Sequence, residues 1–206
     1  MRRLSKLSSW HLSSLAALFL LLPVAAFGHV GEHSLLIKTD GSLWGMGLNT
    51  SGQLGLGDEI NRNVPTQIVA SDVVAVAAGG YHSLFIKSNG SLWAMGENSD
   101  GQLGTGDNVD HESPVQILPN NVIAVAAGAT HSMVLKTDGS LWTMGKNEYG
   151  ELGTGDTNPR NAPTEIVSSD VMTIARGGHH SLFIKDDGSL WVMGWNQDGQ
   201  LGTGDT

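Results

Sequence analysis

The sequence repeats itself at a step of 49 residues, without insertion or deletion. Repeat periods of about 20–50 residues are typical of proteins in which each unit is one supersecondary element that packs on its neighbours. We draw the units at residues 29–81, 82–130, 131–179 and an incomplete 180–206, and we expect the repeated side chains to be structural. These are His33, His82, His131 and His180; Trp44, Trp93, Trp142 and Trp191; Asp58, Asp107, Asp156 and Asp205.

Each unit has the pattern of short β-strands. "HSLFIK" begins at His82 and is separated from "SLWAMG" by Asn89-Gly90, and an Asp-Gly pair occupies the same place in the other copies. Such a pair between apolar runs is the strongest short hairpin signal, and it predicts a type I′ turn with positive φ at both residues. A third strand is predicted from Pro114 to Leu118. A fourth is predicted from Val122 to Ala127, where small side chains suit an inner position.

Four strands in a unit of this size are typical of one β-propeller blade. We therefore predict an all-β fold, a β-propeller of four-stranded blades. A parallel β-helix is the alternative, but its coils are shorter and lack a hairpin in each unit. About 3.6 units follow residue 28. We expect a fragment of a longer gene; an open arc, or half of a ring made by two chains, are the alternatives. Open blade edges would favour self-association.

The first 28 residues have the pattern of a signal peptide. Basic residues precede an apolar run from Leu15 to Phe27, and the small residues Ala26 and Gly28 suit cleavage before His29. The apolar run is short for a membrane span, so an uncleaved anchor is the less favoured alternative. We expect an exported protein, whether secreted, periplasmic or at the cell surface, with no integral membrane span after cleavage.

The charge balance excludes one class of partner. Lysine and arginine number 11 against 20 aspartates and glutamates, and without residues 1–28 the net charge is −12. Nucleic-acid binders need cations that displace counterions from phosphate, so we expect no nucleic-acid partner. The chain has no cysteine, and disulfides are therefore impossible.

Two patterns suggest a bound ion. The four evenly spaced histidines could converge on a metal, but each is followed by serine in an otherwise apolar strand, which favours a repeated structural hydrogen bond. The segment "ENSDGQLGTGD" from Glu97 to Asp107 lacks the closing glutamate of an EF-hand and the Lys-Ser/Thr of a P-loop. We interpret it as a turn shaped by glycine. With no nucleophile elbow either, we expect no enzyme activity, cofactor or metal.

The motifs of the unit resemble those of the regulator of chromosome condensation (RCC1-like) repeat family. "VAAGGYHSLFI" from Val76 to Ile86 follows the family signature, and Gly-x-Leu-Gly-x-Gly-Asp occurs in all four copies. The resemblance runs from about Gly31 to the end of the sequence and implies a seven-bladed propeller. Two positions depart from the pattern, Arg176 in place of a small residue and Val30 in place of glycine. The first inner strand would fall within the signal segment.

The resemblance carries functional expectations as well. Nuclear members of the family exchange nucleotide on a small GTPase and contact chromatin, and we do not expect this activity of an exported acidic chain. The chain is more similar in type to secreted bacterial members, one of which inhibits β-lactamases by docking on them. We therefore expect an exported, non-enzymatic module that binds a protein. A secreted glycan-binding or hydrolytic propeller, or a structural surface or adhesion protein, are the alternatives.

Binding is expected where the copies differ. The loops at 59–64, 108–113 and 157–162 vary most and should lie on one face of the ring. A second variable position holds Leu48, Glu97, Lys146 and Trp195 in the four copies. Aromatic residues and arginine are enriched at interface hot spots. The candidate partner-binding residues are Arg62, His111, Glu112, Tyr149, Arg160 and Trp195.

Overall fold

The computed structural model describes residues 1–4, 25–27 and 32–206, and every regular element in these ranges is a β-strand. The strands are β1 (Arg2–Leu4), β2 (Ala25–Phe27), β3 (His33–Ile37), β4 (Leu43–Gly47), β5 (Arg62–Val69), β6 (Val73–Ala78), β7 (His82–Lys87), β8 (Leu92–Gly96), β9 (His111–Leu118), β10 (Val122–Ala127), β11 (His131–Lys136), β12 (Leu141–Gly145), β13 (Arg160–Val167), β14 (Val171–Arg176), β15 (His180–Lys185) and β16 (Leu190–Gly194).

The strands form four antiparallel sheets of four strands each, which confirms the predicted blades. Three sheets follow the chain in order, β2 to β5, β6 to β9 and β10 to β13. The fourth contains β14, β15 and β16, with β1 on its outer edge. The Val/Ala strand β10 contacts the equivalent strands β6 and β14 across the sheets, as expected of inner strands.

The outer strands begin earlier than the sequence predicted. β9 starts at His111, three residues before Pro114. Proline cannot donate to a β-ladder, and it is tolerated here because the strand lies on the outer edge of its sheet. Each sheet also begins with its Val/Ala strand, ahead of the histidine at which the sequence units were drawn.

The hairpin is where the sequence predicted it, but the predicted type I′ turn is wrong. Gly90 has a φ of +77°, whereas Asn89 does not have a positive φ. The N–H of Gly90 donates to the carbonyl of Lys87, and the Asn89 carboxamide oxygen accepts from the Ser91 N–H and hydroxyl. This is the three-residue hairpin loop, in which glycine follows a type I turn. A Cβ on Gly90 would also lie 2.9 Å from the Asn121 nitrogen.

The core lies between successive sheets. Leu84 and Leu92 of the second sheet are fully buried in one cluster with Val134 and Met144 of the third. Burial of such a side chain contributes about 1.5–3 kcal/mol, and a single sheet has no partner for it. The sheets therefore depend on their neighbours for stability.

The N-terminal strands lie inside the predicted signal segment, residues 1–28. β2 pairs with β3 and takes the inner position of the first sheet, the position that the sequence places within the signal segment. Residues 5–24 and 28, and with them most of the segment, lie outside the described residues. Within the described ranges, no helix has the length and hydropathy needed to cross a membrane.

Candidate functional site

The repeated histidines join each sheet to the next. The Nε2 atoms of His33, His82 and His131 lie 2.9 Å from the hydroxyls of Ser83, Ser132 and Ser181, respectively. The hydroxyls of the first two serines donate to the Gln53 and Gln102 carbonyls at 2.7 and 2.8 Å. Because each hydroxyl has one hydrogen, the imidazole Nε2 must carry a proton and donate. The serine partner thus belongs to the following copy of the repeat.

Burial keeps these imidazoles neutral. Desolvation lowers the pKa of His33 to about 4 and the pKa values of His82 and His131 to about 3. Gly79 and Gly128 lie directly beneath the rings, and a Cβ on either would collide with the imidazole. This contact explains the Gly-x-x-His motif. In the described part of the chain, no three His, Cys, Asp or Glu side chains are grouped as metal ligands.

The repeated polar residues of the glycine-rich segment hold its own turn. The Asn98 carboxamide accepts from the Leu103 N–H and donates to the Asp107 carbonyl. The Asp107 carboxylate accepts from the Thr105 hydroxyl, and this bond is the first cause of its lowered pKa. The N–H of Gly106 reaches the Asn161 carbonyl of the next sheet at 2.8 Å. These groups are occupied by the scaffold.

Three candidate residues share one place, the first residue of an outer strand. Arg62 and Arg160 form ion pairs with Asp58 and Asp156 at 2.6 and 2.8 Å. The arginine bond is the first cause of the lowered pKa of each carboxyl, which for Asp156 falls to about 2. His111 takes the same place in the second sheet, where its charge lowers the pKa of Asp107. The structure thus gives both arginines an ion pair within their own loop, whereas the Nε2 of His111 has no hydrogen-bond partner among the described residues.

Glu112 lies at the boundary between two sheets. Its side chain is exposed, but its carbonyl accepts the Gly57 N–H of the preceding sheet at 2.8 Å. A Cβ on Gly52 would lie 2.5 Å from the Glu112 Cα. The backbone of this candidate is therefore fixed by sheet packing, while its carboxylate faces solvent.

The two aromatic candidates come together at the boundary of the third and fourth sheets. The rings of Tyr149 and Trp195 stack with centroids 5.2 Å apart and an interplanar angle of 21°. His179 completes the group, and its ring centroid lies 6.0 Å from that of Tyr149 and 5.5 Å from that of Trp195. We call these three residues the aromatic cluster. Tyr149 is 43% exposed, so the cluster presents aromatic surface to solvent.

Repeated backbone contacts position these unrepeated side chains. Glu151 is fully buried and its Oε2 accepts the Tyr149 N–H at 2.7 Å. Glutamine occupies this place in the other copies, where it caps the N–H of Ser51, Asp100 and Asp198. The Trp195 N–H donates to the His179 carbonyl, as Glu97 does to Tyr81 and Lys146 to Thr130. The scaffold is constant, and only the displayed side chain changes.

At the boundary of the second and third sheets, the equivalent positions hold charged side chains instead of aromatic rings. Lys146 and Thr130 of the third sheet take the positions of Trp195 and His179, and Asp100 takes that of Tyr149. Lys146 Nζ lies 3.1 Å from the Glu148 carboxylate, the first cause of its raised pKa, to which Asp100 also contributes. Each boundary therefore displays its own set of three variable residues.

His179 was not among the binding residues predicted from the sequence, although the sequence contains the signal for it. The register pairs His180 with Gly194, so the residues before and after them, 179 and 195, must face each other. Position 179 also varies, with Glu32, Tyr81 and Thr130 in the other copies. Hairpin register combined with variation between copies identifies this position.

Arg176, the departure from the small-residue pattern, crosses between sheets. Its Nη2 donates to the carbonyl of Ala78 at 3.0 Å, from the fourth sheet to the second. Burial lowers its pKa. The guanidinium therefore bridges the ends of two inner strands that do not adjoin in sequence.

The sequence matches the RCC1-like domain over residues 23–206. The chain belongs to the RCC1-like domain family. The family expectation from the repeated motifs is thus confirmed. No curated protein sequence matches the chain significantly.

Solved structures, among them yeast RCC1, share this fold. Human WBSCR16 superposes with a TM-score of 0.74 at 28% identity, over 84% of this chain and 47% of that one. Yeast RCC1 (Prp20), in complex with Kap60, gives a TM-score of 0.78 at 23% identity, over 89% of this chain and 46% of that one. Saccharomyces cerevisiae Prp20p, described with its binding to Gsp1p and histones, gives 0.75 at 23% identity, over 89% and 47%. The RCC1-like chain spans just under half the length of these relatives.

Proposed function

We propose that this RCC1-like chain is an exported, non-enzymatic module that binds a protein through the end of its sheets that carries the aromatic cluster. The observation behind the proposal is the stacking of Tyr149 on Trp195, two unrepeated residues from different sheets. The repeated histidines and aspartates are engaged in contacts within the fold. The binding energy is therefore assigned to residues that only one boundary has.

The cluster has the composition of an interface hot spot. Tyrosine and tryptophan provide large apolar area together with a polar group, and they dominate many interfaces. The Nε1 of Trp195 is buried and has no hydrogen-bond partner among the described residues. By contrast, the repeated Trp93 and Trp142 donate Nε1–H to Ser91 and Ser140. The Trp195 indole is therefore not held by the serine bond that fixes the repeated tryptophans.

The relatives suggest protein partners but not their identity. Yeast RCC1 was solved with Kap60, and Prp20p was described with Gsp1p and histones. This chain spans less than half of those proteins and differs from them in most positions, so neither those partners nor nucleotide exchange is proposed for it. We propose for this chain only that its propeller blades form a surface that binds a protein.

Photocrosslinking tests the binding face. A benzoylphenylalanine introduced at position 149 should capture a discrete protein, whereas the same group at exposed position 123, on an inner strand, should not. With the purified partner, Trp195→Ala should then weaken binding about tenfold or more, the magnitude of a hot-spot truncation. Equal capture at both positions, or unchanged affinity, would contradict the proposal.

A glycan is the competing ligand because stacked aromatic rings also provide a platform for a sugar face. A glycan array probed with the purified chain distinguishes the two. Glycan binding that is lost in Tyr149→Ala, without any crosslinked protein, would replace our proposal by the lectin-like alternative.

Export is a separate part of the proposal and rests on the basic and apolar pattern of residues 1–28. N-terminal sequencing of the protein recovered outside the cytoplasm should begin at His29. Cleavage there removes β1 and β2 and leaves β3 as the edge of the first sheet. A cytoplasmic protein that retains Arg2 would contradict this part of the proposal and leave the binding face untouched.

A further inference from the structure

The two ends of the sheets differ strongly in charge. We call the end with the aromatic cluster the loop face and the end with the Asn-Gly and Asp-Gly turns the hairpin face. The charges are counted over the loops and turns of residues 32–206 and the strand residues that flank them. The loop face has twelve acidic and four basic residues, a net charge of −8. The hairpin face has six acidic and four basic residues, a net charge of −2. The loop face consists of Glu32, the turns 79–81, 128–130 and 177–179, the loops 48–61, 97–110, 146–159 and 195–206, and their flanking strand residues.

The basic residues of the loop face are already engaged. Three of them form ion pairs with carboxylates of the same face, and the fourth donates to a carbonyl. These are Arg62 with Asp58, Arg160 with Asp156, Lys146 with Glu148, and Arg176 with Ala78. Of the other carboxylates of the face, Glu151 is buried and the rest are exposed or partly exposed, so the field of the face attracts positive charge.

The aromatic cluster adds a second, independent preference for a cation. The face of an aromatic ring attracts an ammonium or guanidinium group within about 6 Å of its centroid. On the repeated rings the chain fills this position itself, with Lys38 Nζ 3.5 Å from Trp44 and Lys136 Nζ 3.7 Å from Trp142. Among the described residues, no lysine or arginine stands over Trp195 or Tyr149 in this way. Those two rings are left for an external cation.

We infer that the protein bound by the loop face presents a basic segment, with one lysine or arginine side chain on the aromatic cluster and further positive residues opposite the surrounding carboxylates. This inference rests on the proposed function and specifies the chemistry of the partner. Opposite charges accelerate encounter and exclude acidic competitors, whereas the aromatic contact supplies the anchor. An acidic glycan or a nucleic acid would be repelled by the same face.

Three synthetic peptides test the inference on the exported chain. They are 12-residue Gly/Ser peptides that differ only in carrying four arginines, four glutamines or four glutamates. The indole N–H signal of Trp195 reports on binding in a ¹⁵N NMR titration, and those of the hydrogen-bonded Trp93 and Trp142 serve as internal controls. The arginine peptide should shift the Trp195 signal alone, with an affinity that falls about tenfold between 0.05 and 0.5 M salt. A shift by the glutamate peptide, or none by the arginine peptide, would overturn the inference.

Charge-reversal variants locate the effect. Glu97→Lys combined with Asp198→Lys should weaken arginine-peptide binding about tenfold or more, because it reverses charge on the loop face. Glu165→Lys combined with Asp186→Lys is the matched control, since it changes the net charge equally and both residues are exposed away from the loop face, on the outer strand β13 and in a hairpin turn. Equal losses in both variants would reduce the effect to net charge and contradict a specific face.

The partner captured by crosslinking separates this inference from the proposed function. If its affinity depends on Trp195 but not on salt or on the two reversals, the binding face stands and the basic segment is wrong. If its affinity does not depend on Trp195, the proposed function itself fails.

Discussion

His82 Nε2 lies 2.9 Å from the hydroxyl of Ser132, fifty residues further along the chain and in the next sheet. Both side chains are fully buried. The bond therefore couples two blades that share no strand, and His33 and His131 repeat it with their own serines.

Removal of this serine should destabilise the fold measurably. Ser132→Ala leaves the His82 Nε2–H buried without an acceptor, which costs about 1–3 kcal/mol. We expect a lower midpoint in urea unfolding with an unchanged m-value. Ser88→Ala, at an exposed position of a hairpin, is the matched control and should change little. Equal midpoints for the two variants would show that the bond between sheets contributes nothing.

The buried histidines predict a loss of stability in mild acid. Their folded pKa values of about 3 to 4 lie below the unfolded value near 6.5, so the unfolded chain binds more protons between these limits. The contribution of these histidines to the free energy of unfolding is thus fully present above about pH 6.5. Below that pH it falls by about 1.4 kcal/mol per pH unit for each histidine.

Unfolding free energies at pH 7, 5.5 and 4.5 check this expectation. The aspartates with lowered pKa values lose their contribution only as the pH falls below about 3.8, so this window isolates the histidines. The imidazole C–H signals of His82 and His131 should not titrate in the folded protein above pH 4.5. A flat stability profile from pH 6.5 to 4.5 would contradict the buried, neutral state.

Two equivalent glycines separate backbone strain from contact between sheets. Gly101 and Gly150 have φ values of +82° and +75°, so alanine is strained at both. A Cβ on Gly101 would collide with the Cα of Asn161 and lie 2.7 Å from its Cβ, whereas a Cβ on Gly150 would meet no described residue within 4 Å. Gly150→Ala should cost about 1–2 kcal/mol, and Gly101→Ala should cost about 1–3 kcal/mol more, the range for overpacking. Similar losses in thermal unfolding would contradict the observed packing.

A double-mutant cycle decides the role of Arg160. Its ion pair with Asp156 is partly exposed, and pairs of this kind contribute little to stability. Arg160→Ala and Asp156→Asn should therefore couple weakly but measurably in unfolding free energy, with no change in affinity for the crosslinked partner. A loss of partner affinity in Arg160→Ala, with zero coupling, would assign this arginine to the interface instead.

Most of the blade was predictable from the sequence because its signals are local and repeated. Asn89-Gly90 located the hairpin, and the small side chains of Val122 to Ala127 located an inner strand. The turn type was wrong because the motif does not report which residue takes the positive φ. The partner of His82 was not predictable either, since the contact joins adjacent sheets and depends on their relative placement. Such contacts carry no periodicity of their own.

The same limit applied to the candidate site. Tyr149 and Trp195 were selected as variable aromatic residues, but only the packing of the third sheet on the fourth brings their rings to 5.2 Å. Arg62 was selected as a variable cation, and its ion pair with Asp58 depends on a loop geometry that residue type alone does not specify. Whether any of these side chains contacts a partner stays a prediction.

Two repeated contacts between sheets follow the chain, from a histidine to the serine of the next copy and from a loop glycine to the following outer strand. A 49-residue unit can therefore be duplicated, deleted or exchanged by recombination while these two kinds of bond are kept, because each end of the unit joins a copy with the same histidine, serine and glycine positions. The number of copies and the variable residues at each boundary can then change while the repeated contacts stay the same.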